Sequence, residues 1–386
     1  YTSHNTVEKE VCPFTLPPPS LVEEKDDLKD IIKSFEIEMD DKQIHYLLAS
    51  SLNFIGTSDT TNFGPLPTPL TNKEFDAPKL RELRKAIDND SLSDLELEQL
   101  AICMVDELPE LSSDYLGNTI VQKLFETSSD IVKDIMLRKT SPYLASMGVH
   151  KNGTWACQKM ITMATTPRQI MFIIKGIYNY CVPLFTDQFG NYVIQCVLKC
   201  GYPWNSIIFE SITANFWIIV QNRYGSRAVR ACLEAHDMIT AEQTLVLSSM
   251  IVICAKYLAT NNNSTLLLTW FLDTCILPNR YSIVVPRLLP NLVELSCHRL
   301  ASLTILKILN YRGDLSARNQ TLEAIFGVLS SDNPPAALKQ ILNDTNNGPT
   351  FIYKVLTMSL LEENIKSHII KQVRKLVVDI PNAHQH

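Results

Sequence analysis

The run GNYVIQ places Asn191, Tyr192 and Gln195 where they could read a nucleobase. In a helix, positions i and i+4 lie one above the other, and position i+1 is rotated about a third of a turn away. Asn191 and Gln195 then offer amide donors and acceptors to one edge of a planar ligand, and Tyr192 can stack on its flat face. The arrangement recurs. YLGNTIVQKLF (115–125), KNGTWACQKMI (151–161) and RYGSRAVRACL (223–233) align with QFGNYVIQCVL (188–198), and the residues after Gly are Asn118, Thr154, Asn191 and Ser226, spaced by 36, 37 and 35. Parallel helices set roughly 10 Å apart would turn this period into a ladder of edge readers separated by stackers. The unstacked bases of a single RNA strand match such a ladder.

Something must hold those helices in register. Weaker copies around Thr265, Ser302 and Pro349 continue the period at 39, 37 and 47, the last with an insertion. From Asp76 onward the pattern is helix after helix, with almost no strand-like alternation. A period near 36 built of helices predicts an all-α solenoid, in which each unit exposes an apolar face that only its neighbours cover. Periodicity alone favours an interaction scaffold of HEAT, armadillo or tetratricopeptide type; the residues after each Gly are what point to RNA. Upstream, CPFTLPPPS within 1–22 reads as irregular, 23–54 as one or two acidic amphipathic helices, and 55–78, with GPLPTPLTN, as an extended linker. Whether the acidic helices pack on the first repeat, bind a partner or meet a second copy stays open.

The 386 residues are 46% hydrophobic and 20% charged, enough for a large core and too apolar for a mostly disordered chain. The net charge of -6 hides an uneven distribution. Residues 1–76 carry 14 Asp/Glu against 6 Lys/Arg, whereas 117–236 carry 12 Lys/Arg against 6 Asp/Glu. A stretch this weakly basic attracts phosphate only modestly, so RNA affinity must lean on base contacts. Lys123, Lys151, Lys159 and Arg223 flank the reading positions as candidate phosphate contacts. The ten cysteines show no CxxC pair, which predicts buried thiols in a reducing compartment. Cys157, Cys196 and Cys232 are expected to fill repeat helices; Cys196 and Cys200 make at most half a metal site, and no metal is expected. Trp204, Trp217 and Trp270 are expected between repeats, Trp155 on the reading face, and His150 at a helix end as a cap or in solvent. No apolar run reaches the length of a membrane span, and no nucleophile elbow, zincin, phosphate-loop or dinucleotide motif is present. Neither enzymatic activity nor a cofactor is expected. A chain beginning YTSHNTVEKE, without initiator Met, is expected to be a fragment of a longer protein.

GNYVIQ, with LGNTIVQ, NGTWACQ and YGSRAVR in register, closely resembles the Pumilio (PUF) RNA-binding repeat, in a divergent fungal-type member. The resemblance implies a right-handed, curved solenoid of about six to eight repeats. It covers roughly 77–386, strongly over 115–235, after an acidic extension at 1–76; well-matched repeats occupy about 95–240, and degenerate repeats with a cap follow over 241–386. It also implies one base per repeat. Asn191 with Gln195 and Asn118 with Gln122 form uracil pairs, with Tyr192 and the weaker Thr119 as stackers. Thr154 with Gln158 resembles an adenine pair beside Trp155, although the family usually has Cys or Ser first. Ser226 and Arg230 depart from the pattern and leave their base open, with Arg227 as stacker. Thr265, Leu266 and Thr269, Ser302, Leu303 and Leu306, and Pro349, Thr350 and Tyr353 fill these positions in the degenerate copies, which are expected to be structural or only loosely base-contacting. With RNA antiparallel to the protein, the inferred core is 5′-N-U-A-U-3′. The implied partner is single-stranded A/U-rich mRNA, bound in 3′ untranslated regions for cytoplasmic repression or decay through recruited factors; homo-oligomerisation stays open. The alternative is a protein-binding solenoid whose RNA face has decayed.

Overall fold

A computed structural model of the chain describes residues 12–14 and 16–377. Among them there is no β-strand, and no helix is long and apolar enough to cross a membrane. A short helix, a reading helix and an outer helix make the repeating unit. The reading helices are Gly117–Thr127, Gly153–Met163, Gly190–Leu198, Arg223–Glu234, Thr265–Thr274, Ala301–Asn310 and Gly348–Leu356. Seven such units agree with the expected repeat array.

The repeat glycine has a steric reason. Five of the reading helices set this glycine hard against a carbonyl at the end of the preceding short helix. A Cβ on Gly225 would lie 2.0 Å from the Ile219 carbonyl oxygen, and one on Gly190 2.6 Å from that of Leu184. Only glycine lets the backbones approach this closely. The helix then turns its apolar residues inward. Val193, Ile194 and Val197 of Gly190–Leu198 are fully buried, each worth roughly 1.5–3 kcal/mol. Cys157 and Cys232 are buried in the equivalent faces, where burial pushes both thiols up, Cys232 to about 12, so they stay protonated and act as small apolar fillers. Trp270 is in the core, Trp204 and Trp217 are half-buried, and Trp155 is exposed.

Contacts group the chain into two compact units, Tyr46–Leu247 and, together, Tyr1–His45 with Ser248–His386, so residues 1–76 are shared between them. In the first unit, the segment after Leu52 is tied down along three successive repeats. Thr57 N–H donates to the Asn179 carbonyl (2.8 Å), Ser146 Oγ donates to that of Pro65 (3.3 Å), and Lys73 pairs with Glu110 (2.7 Å). The stretch that reads as a linker is a strap. In the second unit, helix Leu21–Ser34 opens with a Ser20–Glu23 capping box and packs on the 248–386 segment. Phe35 meets Phe271 edge-on at 6.5 Å, and Asp27 pairs with Arg287 at 3.3 Å. The sequence left open packing on the first repeat, a partner or a second copy; Leu21–Ser34 instead lies on the later repeats.

Candidate nucleic-acid interface

The first four reading helices lie in the Tyr46–Leu247 unit and pack side by side in chain order. A polar cap fixes where each one starts. Asp187 Oδ2 accepts from the N–H groups of Phe189 and Gly190 (both 2.8 Å), Asp114 Oδ2 from Leu116 and Gly117, and Asn222 Oδ1 from Tyr224 and Gly225. His150 Nδ1 does the same for Asn152 and Gly153 at 3.0 and 3.3 Å, so this histidine is a helix cap. In the other unit Asn261, His298 and Asp344 repeat the role. These caps satisfy N–H groups that a helix start leaves orphaned. Sequence reasoning passed over the series as a whole. Its signal was an Asp, Asn or His three residues before the glycine position, or four for Asp344.

The edge pairs are joined as the i,i+4 spacing requires. Gln122 Nε2 donates to Asn118 Oδ1 (3.0 Å), Gln158 Nε2 to Thr154 Oγ1 (2.9 Å), and Gln195 Nε2 to Asn191 Oδ1 (3.4 Å). The two members differ in exposure. Asn118, Thr154, Asn191 and Ser226 are buried, whereas the three glutamines are half-buried. Asn191 Nδ2 donates to the carbonyls of Asp187 (2.8 Å) and Gln188 (2.9 Å), and Asn118 Nδ2 to those of Asp114 and Tyr115 (both 2.8 Å). Only the NH2 end of an amide can donate to two carbonyls, so each asparagine turns its oxygen toward its glutamine. What these asparagines keep for a ligand is an acceptor.

The stacking positions open outward. Trp155 is 57% exposed and Tyr192 45% exposed, while Thr119 is half-buried. Arg227 already lies over the Tyr192 ring at 5.4 Å and donates to its hydroxyl (3.2 Å) and to Asn191 Oδ1 (3.4 Å). Arg227 thus closes the gap between two neighbouring stackers, and a base entering there must part them. Arg230 pairs with Glu234 at 3.0 Å. Among the candidate phosphate contacts, Lys159 pairs with Glu126 at 3.4 Å, and Arg223 donates to the Tyr224 hydroxyl at 2.6 Å. Lys151 is exposed, and Lys123 lines a recess with Arg84 and Thr119. In the second unit Leu266, Leu303 and Thr350 are exposed at the stacking register, and Tyr353 is exposed rather than part of the core. Ser302 is buried and accepts from Asn347 Nδ2 at 2.9 Å; Thr265, Thr269 and Leu306 are half-buried, and Pro349 is exposed.

Fold and face together define a helical-repeat protein whose Gly117–Thr127, Gly153–Met163 and Gly190–Leu198 helices each present a joined i,i+4 pair beside an i+1 side chain. The model of the Pumilio-family RNA binding repeat matches residues 108–139, 143–177 and 180–205. The chain is 67% identical over 374 residues to Protein JSN1 of Saccharomyces cerevisiae, covering 96% of this chain and 34% of that protein. It is 56% identical over 370 residues to the mRNA-binding protein PUF2 of the same yeast, covering 93% and 34%. The crystal structure of the PUM-HD domain of S. pombe Puf1 in complex with RNA matches with a TM-score of 0.77 and 37% identity, over 94% of this chain and 92% of that one. The chain belongs to the Pumilio (PUF) family. It spans about a third of the length of the two budding-yeast relatives.

Proposed function

We propose that the Tyr46–Leu247 unit binds single-stranded RNA base by base through its four reading helices, with a 5′-N-U-A-U-3′ core in an A/U-rich element. The carrying observation is the joined edge pair beside a solvent-exposed aromatic side chain, in the Gly153–Met163 and Gly190–Leu198 helices. Uracil presents an N–H donor between two carbonyl acceptors. The Asn191 oxygen suits that donor and the Gln195 amide an adjacent acceptor, and Asn118 with Gln122 repeats the match. Thr154, Gln158 and Trp155 take the adenine, and Ser226, Arg227 and Arg230 meet the open base. Lys123, Lys151, Lys159 and Arg223 serve the phosphates, Lys159 after release from Glu126. A relative named as an mRNA-binding protein and a similar domain seen with RNA support the reading. On this reading the chain acts on 3′ untranslated regions in the cytoplasm, in repression or decay through recruited factors, and not as an enzyme.

A swap of the edge pair tests the register. The double change Asn191→Ser with Gln195→Glu removes the uracil match and places a carboxylate that accepts guanine's N–H groups. Binding to four oligonucleotides differing only at the first U of N-U-A-U is compared in one salt concentration. Preference should move from uracil to guanine at that position alone. An unchanged ranking sinks the register, and the absence of any base preference in the unaltered protein sinks the function.

A further inference from the structure

Away from the reading row, residues of the Tyr46–Leu247 unit that lie on three helices line an open groove of about 490 Å³. Asp41–Leu52 contributes Tyr46, Ser206–Ala214 contributes Phe209 and Glu210, and Ala241–Ile253 contributes Glu242; Tyr202 lies before the second of these helices. The Tyr46 and Tyr202 rings are 84% and 64% exposed, although each borders a concave surface. No lysine, arginine or histidine lines the groove. None of the base-reading positions lies on these helices, so the RNA proposal does not account for them.

We propose that this groove is a docking site for an arginine side chain presented by a protein partner. Charge complementarity carries the argument. The Glu242 carboxylate and the Glu210 carboxyl, with no cation among the lining residues, disfavour RNA phosphate and anionic lipid alike, and favour a positive group. Open phenol rings beside them favour a planar cation, which stacks on a ring face while its N–H fork meets a carboxylate. An ammonium group satisfies only the second demand. Glu210 lacks compensation in this state: burial alone pushes its carboxyl up to about 7. A guanidinium arriving beside it would restore its charge, so the free groove is poised for a cation. Ser50, Ser206 and Thr240 supply hydroxyls for the backbone of the arriving segment.

The test is selection of a random dodecapeptide library on the purified chain, followed by fluorescence polarisation with the enriched peptides. Enriched peptides should share an arginine, and its replacement by the neutral isostere citrulline should weaken binding tenfold or more. Glu210→Gln and Tyr46→Ala should each weaken it at least fivefold, with thermal stability measured to show that both variants fold. RNA affinity should stay within twofold in both, which separates this site from the reading face. Peptides with lysine in place of arginine, peptides with no cation, or binding unchanged by both variants each overturn the proposal. So does a selection that enriches nothing.

Discussion

Asn191 and Gln195 face the same position but should fail in different ways. Asn191 is 0% exposed, and its Nδ2 makes two short hydrogen bonds to backbone carbonyls. Asn191→Ala removes both. At about 0.5–1.5 kcal/mol each, the loss is roughly 1–3 kcal/mol. For a unit of this size, each kcal/mol moves Tm by about 2–4 °C, so a fall of roughly 2–12 °C is expected. Gln195 is half-buried and touches Asn191 at 3.4 Å. Gln195→Ala should therefore cost no more than about 0.5 kcal/mol of stability. It should nevertheless lose about 1–3 kcal/mol of uracil discrimination, a factor of roughly 5 to 150. Scanning calorimetry gives the first quantity, and polarisation titrations of four oligonucleotides differing at the uracil give the second. Equal Tm shifts in the two variants, or a larger one for Gln195→Ala, would refute the division into a buried, backbone-anchored asparagine and a half-buried, loosely held glutamine.

Four further outcomes are expected. Tyr192→Ala should weaken RNA binding by about 1–3 kcal/mol while leaving the order of base preference intact, because a ring face stacks on any base; a changed order in the same titrations counts against a stacking role. Gly225→Ala should cost about 2–4 kcal/mol in denaturant unfolding, since its Cβ meets the Ile219 carbonyl, whereas Gly201→Ala, at φ +78 with nothing near it, should cost only about 1–2 kcal/mol. His298 caps a helix through a neutral ring nitrogen, and burial, helped by Arg299, holds its pKa below the ordinary 6.5. Its folded form resists protonation, so that share of stability is present above about pH 6.5 and is lost as pH falls through the depressed value; Tm of His298→Asn should lack this acid loss. Glu210 has the opposite sign. Its carboxyl is raised from 4.5 to about 7, so stability falls as pH rises across that window and is flat above it. Glu210→Gln should gain on the unaltered protein over the same window, and parallel Tm-against-pH curves would refute the assigned burial.

Fold class, period and the i,i+4 register of the repeat helices were legible in sequence. A glycine at fixed spacing, followed by apolar residues at helical intervals, leaves few other ways to bury them. The i,i+4 pairing of Asn118 with Gln122 and of Asn191 with Gln195 follows from helix geometry alone, as does the outward turn of Tyr192 and Trp155. The capping residues are equally local, three or four positions before the glycine position, and of these only His150 was expected as a cap.

Other features depended on distant parts of the chain meeting. Arg227 covers Tyr192 because neighbouring repeats set their helices side by side. Residues after Leu52 become a strap because a carbonyl, a hydroxyl and a carboxylate of three repeats stand ready to pair with Thr57, Pro65 and Lys73. The groove with Glu210 needs three helices that lie far apart in sequence. Helical periodicity is a short-range property, fixed by which residues fall on one face. Which polar group is used up, covered or left bare depends on long-range neighbours, and packing alone chooses those.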